Sequence, residues 1–510
     1  MCRGEAITHR RLAKMKWLEI KNLQAVKKTD LPRLPIDELR EQTLAGLGAG
    51  RRVVQFFGAR TAAGVALYVV LADDGHSRLY VSSSVFVNEK SYPAFTPEMP
   101  ALHLFEREFY EQFGIEPKGH PWLKPVRKGI AGSMAADDTP YSFFNMEGAE
   151  IHEVGVGPIH AGIIEPGHFR FSCQGENVYH LEIQHGFQHR SVEELFITHR
   201  ARPTYLLRLA ESIAGDSVIG HAGAFACTLE ALGDVAVSRQ AKIIRTLAQE
   251  LERVAVHLGD LAALAADVAY LTGNAAFGAL RTKAINTSLA ICGSRFGRGL
   301  ITPGGVNFDI SPALRDDIRS AIAKLEEESD LAAEVLFASS SVLSRFENTG
   351  VVTQEDARQL GMVGPAARAS GVAVDVRADH PYGGFSYFPI HTVTLNSGDV
   401  FARAYIRHVE IKQSVRIIAE QLDALQGGEL KKSLLPPAAD MLVVSLAEGW
   451  RGEIAHVAST DGEGKLERYK IKDPSFHNWF ALALAVRENG ISDFPVCNKS
   501  FNLSYCGMDL

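Results

Sequence analysis

The sequence is thin in sulfur: its six cysteines, Cys2, Cys173, Cys227, Cys292, Cys497 and Cys506, lie far apart and form no C-x-x-C pair. That spacing excludes a disulfide framework and points to a reducing compartment. It also excludes an iron–sulfur cluster held by this chain, because a cluster needs about four neighbouring thiolates. Phosphate loops are missing too: there is no G-x-x-x-x-G-K-[ST], and "GVGPIH" from Gly155 has too few glycines and no helix after it. No apolar run reaches the roughly 18 to 20 residues that cross a bilayer; the longest, "GVALYVVLA" and "WFALALAV", are strand-length or core-helix pieces. With a net charge of -7 the chain carries no electrostatic footprint for nucleic acid, though a mildly acidic protein can still dock on a membrane complex. The start, "MCRGEAITHRRLAKMKWLEI", lacks the apolar core of an export signal and reads as a leader, or as a start placed too early with Met15 the true one.

What is present suits a folded protein of more than one domain. Hydrophobic residues make up 46% and charged residues 22% of 510, close to the globular average. "PIDELREQTLAGL" predicts a helix, and residues 50 to 90 alternate apolar runs with a turn at Asp73, Asp74 and Gly75. "ALHLFEREFYEQFGI" places Leu102, Phe105, Phe109 and Phe113 on one helical stripe, with Glu106, Arg107 and Glu108 expected among the solvated charges. A Gly- and Pro-rich stretch up to about residue 150 is the best boundary. A β-rich patch follows from Gly155 to about Gly186, then long amphipathic helices. The fold class expected is α+β: a small N-terminal α+β domain over 1–130, a linker over 131–150, and a large, mainly helical domain with a small β-sheet over 151–510.

Several polar groups stand in apolar or glycine-rich settings. "QHGFQHRSVEEL" gathers His185, His189, Arg190, Glu193 and Glu194; on a helix His189 and Glu193 would be an i, i+4 pair, or the segment is simply a helix start with solvated charges. In "ELERVAVHLGDL", Arg253 and His257 flank an apolar stripe, where a hydrogen-bonded core histidine is the simpler reading. Arg451 in "EGWRGEIAH" lies among glycines that let a guanidinium reach a cavity, or it belongs to an ordinary turn. "LAESIAGDSVIGHAGAF" sets Glu211, Ala214, Gly215, Ser217 and His221 around a tight loop.

Taken in order, these stretches resemble a known family. "FEREFYEQFGIEPKGHP" is similar to the signature of the 30 kDa-type subunit of complex I. "GPIHAGIIEPGHFRF", "QHRSVEEL", "ELERVAVHL", "GLITPGGV", "DVRADHPYGG", "EGWRGEIAH" and "IKDPSFHNW" resemble the 49 kDa-type subunit and its relative, the large subunit of membrane-bound [NiFe]-hydrogenases. The form of the first of these is nearest to the fused hydrogenase-4 and formate hydrogenlyase type.

The resemblance implies a nickel site of four cysteines in two motifs, because a low-valent nickel–iron pair needs soft thiolates. On this chain those positions carry Ala214, Ser217, Leu503 and Cys506, so no nickel–iron centre and no metal site is expected. The chain also ends four residues after Cys506, without the tail such enzymes lose after nickel loading. In complex I the corresponding cavity takes a quinone between a histidine and a tyrosine. Here His160 matches the histidine, and Gly215 stands at the tyrosine position. Candidate pocket-lining residues are His160, His168, His189, Arg190, Glu193, Glu211, Ala214, Ser217, His221, Arg451 and Cys506.

The expected function is a core peripheral-arm oxidoreductase subunit on the cytoplasmic side of a membrane. It would pass electrons from iron–sulfur clusters in partner subunits to a quinone-like acceptor and couple them to ion translocation. The implied partners are a small iron–sulfur subunit of the 20 kDa or hydrogenase small-subunit type and antiporter-like membrane subunits, with no nucleic acid. A redox-inactive structural or coupling subunit is the alternative reading, and a nickel-dependent hydrogenase a third.

Overall fold

The computed structural model describes residues 16–127, 141–160 and 164–510. The leader and Met15 start readings, Cys2 and residues 131–140 of the expected linker lie outside the described residues.

The alternation read in residues 50 to 90 becomes an antiparallel sheet of β1 (Leu18–Ile20), β3 (Arg52–Thr61), β4 (Gly64–Asp73) and β5 (Arg78–Phe86), in the order β1-β5-β4-β3. A two-residue strand, β2 (Val26–Lys27), leaves this sheet to join another described below. Helix α1 (Ile36–Gly48) packs on the sheet, and so does α2 (His103–Phe113), through Phe109 against Phe56 and Phe86, while Phe105 meets Phe476 of the C-terminal half. A short parallel pair, β6 (Ser91–Pro93) with β7 (Glu116–Lys118), brackets α2.

The expectation that Glu106, Arg107 and Glu108 face water fails: all three are buried. Glu106 accepts the backbone N–H groups of Phe95 and Thr96, and Arg107 donates to the carbonyls of Lys124 and Pro125. Glu108 pairs with Arg127 and with Lys470 from the far end of the chain. One face of α2 meets its own sheet, and the opposite face is covered by the C-terminal half, so the helix has no fully wet side.

The second β patch forms β8 (Ile151–Val156), β9 (His168–Gln174) and β10 (Asn177–Gln184), an antiparallel sheet in the order β10-β9-β8. Helices follow: α3 (Val192–Thr198), α4 (Pro203–Ala210), α5 (Val218–Leu232), α6 (Arg239–Asp267), α7 (Leu271–Cys292), α8 (Pro312–Ala338) and α9 (Val400–Ala424). The connector "ITPGGV" makes a small hairpin, β11 (Ile301–Thr302) with β12 (Gly305–Val306). The apolar stripes of α6, α7, α8 and α9 meet in one core, as their 3.6-residue periodicity requires.

A further sheet escaped the sequence reading: β13 (Met441–Gly449), β14 (Gly452–Thr460) and β15 (Leu466–Lys472), in the order β15-β14-β13-β2. Its edge strand is β2, so the first stretch of the chain completes a sheet built by the last, with Val26 opposite Leu442. After β15 come α10 (Ser475–Ala485), α11 (Phe494–Phe501) and α12 (Tyr505–Asp509). The N-terminal sheet shares its cores with this region: Val54, Phe57 and Val70 pack with Val444, Leu446 and Val457. Buried Arg52 joins Asp74 to Glu453 of β14. Among the described residues no helix is long and apolar enough to cross a membrane.

Candidate functional site

The loop between α4 and α5 meets the loop before α12, and a β-hairpin tip holds the two together. Strands β13 and β14 turn through only Trp450 and Arg451, so the Arg451 side chain projects from a rigid two-residue tip. Its guanidinium donates to both carboxylate oxygens of Asp216 at 2.6 and 2.7 Å, and its Nε donates to the carbonyl of Asn502. The same group stacks 3.9 Å over the Trp450 ring, whose Nε1 donates to the Asp216 carbonyl at 2.8 Å. Such a fork fixes direction as well as distance.

A buried charge cluster anchors the hairpin. Arg253 donates to the carbonyls of Glu448 and Gly449, while Arg368 bridges Glu410 and Glu448, and Arg377 bridges Glu250 and Asp375. Four carboxylates thus face three guanidiniums, and burial together with Asp375 pushes Glu448 up to about 7. His257 is the hydrogen-bonded core histidine expected, its Nε2 2.9 Å from Glu410. Gly364, at φ +71, lies against the tip; a Cβ there would sit 1.9 Å from the Arg451 carbonyl oxygen.

Ala214 and Ser217 are buried, and Ser217 occupies the residue before α5 without capping it. The capping acceptor is Glu252 of α6, which takes the N–H groups of Ile219 and Gly220 at 2.7 and 3.2 Å. Burial, with a smaller contribution from the charge of Asp216, pushes its carboxyl up to about 8. Glu211 pins the loop from outside by accepting Gly299 N–H, and Arg190 donates to the Ile213 carbonyl.

Cys506 is 9% exposed, in the first turn of α12. Its sulfur lies against the Gly215 N–H and the Glu165 carboxylate, which also accepts the Tyr505 N–H at 3.1 Å. Burial first, then the negative Glu165, raise this thiol to about 11, so at neutral pH it is protonated. Leu503 packs into the hydrophobic core. The four positions therefore offer a methyl, a hydroxyl, an isobutyl group and one protonated thiol. That donor set does not fit a nickel–iron pair. Among the described residues no group of three or more His, Cys, Asp or Glu side chains is arranged to hold a metal ion.

His160 and His168 flank the loop at the rim. The Nε2 of His160 is 2.8 Å from the Gly167 carbonyl and the Nδ1 of His168 is 3.0 Å from that of Gly157, which leaves one nitrogen on each ring for another partner. Gly167 packs on α12, where a Cβ would stand 2.6 Å from the ring of Tyr505; the space between these histidines, Cys506 and the Arg451 clamp is the candidate cleft. Behind the cleft, His221 is wholly buried between Asp473 and His456.

The i, i+4 pair of His189 and Glu193 does not form. Ser191 takes a left-handed φ of 55 just before α3, so His189 lies outside the helix and its Nδ1 is 2.7 Å from the Asp509 carbonyl. Glu193 turns away to Lys470, Arg468 and the Ile471 N–H. With Glu108 and Arg127 it ties α2, α3 and β15 together. Sequence reasoning missed Glu165, Asp216, Trp450, Asp473 and Asn502. Glu165, Asp216, Trp450 and Asp473 stand inside "GPIHAGIIEPGHFRF", "LAESIAGDSVIGHAGAF", "EGWRGEIAH" and "IKDPSFHNW", so the signal was there.

Comparisons with known proteins agree with this architecture. Residues 51–128 match the family described as "Respiratory-chain NADH dehydrogenase, 30 Kd subunit", and residues 267–442 match its 49 Kd subunit. Formate hydrogenlyase subunit 5 of Escherichia coli (strain K12) is 29% identical over 468 residues, 87% of this chain and 82% of that protein. Hydrogenase-4 component G of the same organism is 26% identical over 464 residues, covering 87% and 80%. In the solved structure of the membrane-bound sulfane sulfur reductase, an archaeal respiratory membrane complex, one chain superposes with a TM-score of 0.65 at 25% identity, over 71% of this chain and 99% of that one. The chain is therefore a fused homologue of the 30 kDa and 49 kDa subunits of complex I, with formate hydrogenlyase subunit 5 and hydrogenase-4 component G among its relatives.

Proposed function

We propose that this chain is the core peripheral-arm subunit of a membrane-associated oxidoreductase, placed at the cytoplasmic face. Electrons reach its cleft from iron–sulfur clusters of a small partner subunit, a quinone-like molecule accepts them, and antiporter-like membrane subunits couple the transfer to ion movement. The domain division at 1–130, 131–150 and 151–510 belongs to the same proposal, supported by the two family matches.

The observation that carries it is an intact frame around a changed donor set. Arg451 clamps the two loops of the nickel motif together, but the cleft offers hydrogen-bonding groups in place of soft ligands. Those that would meet a quinone oxygen are His160, His168 and the Cys506 thiol. Photoaffinity labelling of the assembled complex with a quinone analogue, alongside metal analysis, tests the reading. Label on residues 157–160, 164–168 or 502–506, without stoichiometric nickel, supports it. One nickel atom per chain overturns it.

One observation favours a second reading, a coupling subunit without redox chemistry: Ala214 and Leu503 are packed as core residues. Unlabelled protein in a complex that still translocates ions would select that reading.

A further inference from the structure

A line of buried polar side chains leaves the cleft floor and crosses the C-terminal sheet. It begins at Asp473, whose carboxylate lies directly under Gly507, the residue after Cys506: a Cβ on Gly507 would be 2.6 Å from the Asp473 Cγ. The carboxylate accepts the Ser475 N–H at 2.8 Å and is 3.1 Å from Nε2 of His221. The Nδ1 of His221 is 3.1 Å from Nε2 of His456, and Nδ1 of His456 is 2.9 Å from the Tyr469 hydroxyl. Beyond Tyr469 stands the Thr228 hydroxyl, which also donates to the Ala224 carbonyl. Ala224 and Cys227 form part of the wall of a cavity of about 770 Å³ that also meets Lys242, Arg245 and Tyr382.

Both ring nitrogens of both histidines are used, and none of the four side chains is solvent-exposed. A purely structural buried pair needs no such continuity. Burying two imidazoles, a phenol and a carboxylate in series costs free energy unless each bond is made, and here each is. The groups also alternate as donor and acceptor along the whole length. With Nε2–H on both rings, Tyr469 donates to His456, His456 to His221 and His221 to Asp473.

We propose that Asp473, His221, His456 and Tyr469 form a proton relay joining the large cavity beside Cys227 to the floor of the cleft. One transfer moves the Tyr469 hydroxyl proton to Nδ1 of His456, the Nε2 proton of His456 to Nδ1 of His221, and the Nε2 proton of His221 to Asp473. Each O–H or N–H bond broken is matched by one formed at the next atom. Asp473 delivers its proton toward the cleft, the Thr228 hydroxyl turns from the Ala224 carbonyl to return one to Tyr469 and is reprotonated from the cavity side, and both imidazoles must turn over to regain Nε2–H before the next transfer. The surrounding charges set the resting state: burial raises the Tyr469 phenol well above its usual value, so it starts protonated, and the transfer runs only when uptake at the cleft draws the proton off Asp473. Burial presses His456 well toward its neutral form, with the neighbouring His221 adding to the effect, while Glu193 and Asp473 act against it. Burial works against the charge of Asp473, but His221 and Arg451 outweigh it and hold the group as the carboxylate that accepts.

The proposal rests on the cleft being the place where an acceptor takes up electrons and therefore protons. It is tested on the assembled complex with a short-chain benzoquinone as acceptor. Tyr469→Phe keeps the ring that stacks on Phe196 at 4.3 Å and removes only the hydroxyl. We expect quinone reduction to slow about tenfold or more and the D2O isotope effect to rise, while the partner's clusters are reduced at an unchanged rate. His456→Gln should behave alike, and Thr228→Val, at the far end, should slow turnover less. Unchanged turnover and isotope effect in Tyr469→Phe overturn the relay.

A second measurement separates failure of the relay from failure of the functional reading. In 15N-histidine-labelled complex, His221 and His456 should both show the Nε2–H tautomer with their Nδ1 atoms hydrogen-bonded as acceptors. If the parent complex reduces no quinone, the acceptor reading falls and takes the relay with it; if it does reduce quinone, an Nδ1–H tautomer on either ring overturns the relay alone.

Discussion

Cys506 is the sharpest point at which the cleft can be questioned, because a metal-bound sulfur and a buried thiol behave in opposite ways. A coordinated cysteine is deprotonated outright, whereas here burial and Glu165 raise the thiol from its usual 9.0 to about 11. A rise of that size leaves about a hundredfold less thiolate at neutral pH than an ordinary cysteine has, before the 9% exposure slows access further. The assay is the rate of iodoacetamide labelling of the Cys506 peptide, followed by mass spectrometry between pH 7 and 11.5 in the assembled complex. The rate should keep rising past pH 10 with no inflection near 8.5. Glu165→Gln removes the nearby negative charge and should raise the rate at pH 8 by roughly three- to tenfold, as a thiol made easier to ionise by about half to one pH unit would do. Linkage gives a companion result. A folded value above the unfolded one contributes stability that is complete below about pH 9 and is lost as the pH climbs toward 11, so Cys506→Ser should flatten the alkaline limb of the thermal profile. An inflection between pH 8 and 9, or a sulfur that labels only after chelator treatment, would refute the reasoning.

Other expectations follow from the frame around the cleft. Arg451→Met leaves Asp216 unpaired and frees both loops; since Asp216 is 39% exposed, the loss should fall below the range for a fully buried pair, about 2 kcal/mol, read as a lowered melting temperature. Gly364→Ala forces a Cβ against the Arg451 carbonyl at a positive φ and should destabilise more than Arg451→Met, measured by the same melt. Glu448 has a folded value near 7, above its unfolded value, so the stability it contributes is complete below about pH 4.5 and lost as pH rises through 7. Glu448→Gln should therefore reduce the fall in melting temperature between pH 5 and 8.

The fold was legible where periodicity carried it. The helices of the C-terminal half and the strands of residues 52–86 follow directly from spacing of apolar residues. The sheet at 441–472 was not, because "MLVVSLAEG" and "GEIAHVAST" are buried on both faces and so do not alternate in the usual way. The burial of Glu106, Arg107 and Glu108 was hidden for a different reason: their partners include Lys124, Arg127 and Lys470, and no local pattern announces a lysine arriving from the other end of the chain. At the cleft, the loop residues Glu211 to Ser217 were visible as a tight turn with lost ligands. The clamp was not, since Asp216 gains its meaning only from a hairpin tip that the sequence presents as an ordinary turn.

The pairing of β2 with β13 sets a condition on how the protein is made. Lys27 and Val26 emerge from the ribosome long before the strand they border, at Met441 and Leu442. The early segment must wait for most of translation before its edge can close, and contacts so distant in sequence form slowly. A chain interrupted before β13 has neither a completed sheet nor the hairpin that carries Arg451. The clamp on the cleft can close only once the chain has been made through Asn502, so every shorter nascent chain leaves Asp216 without its guanidinium.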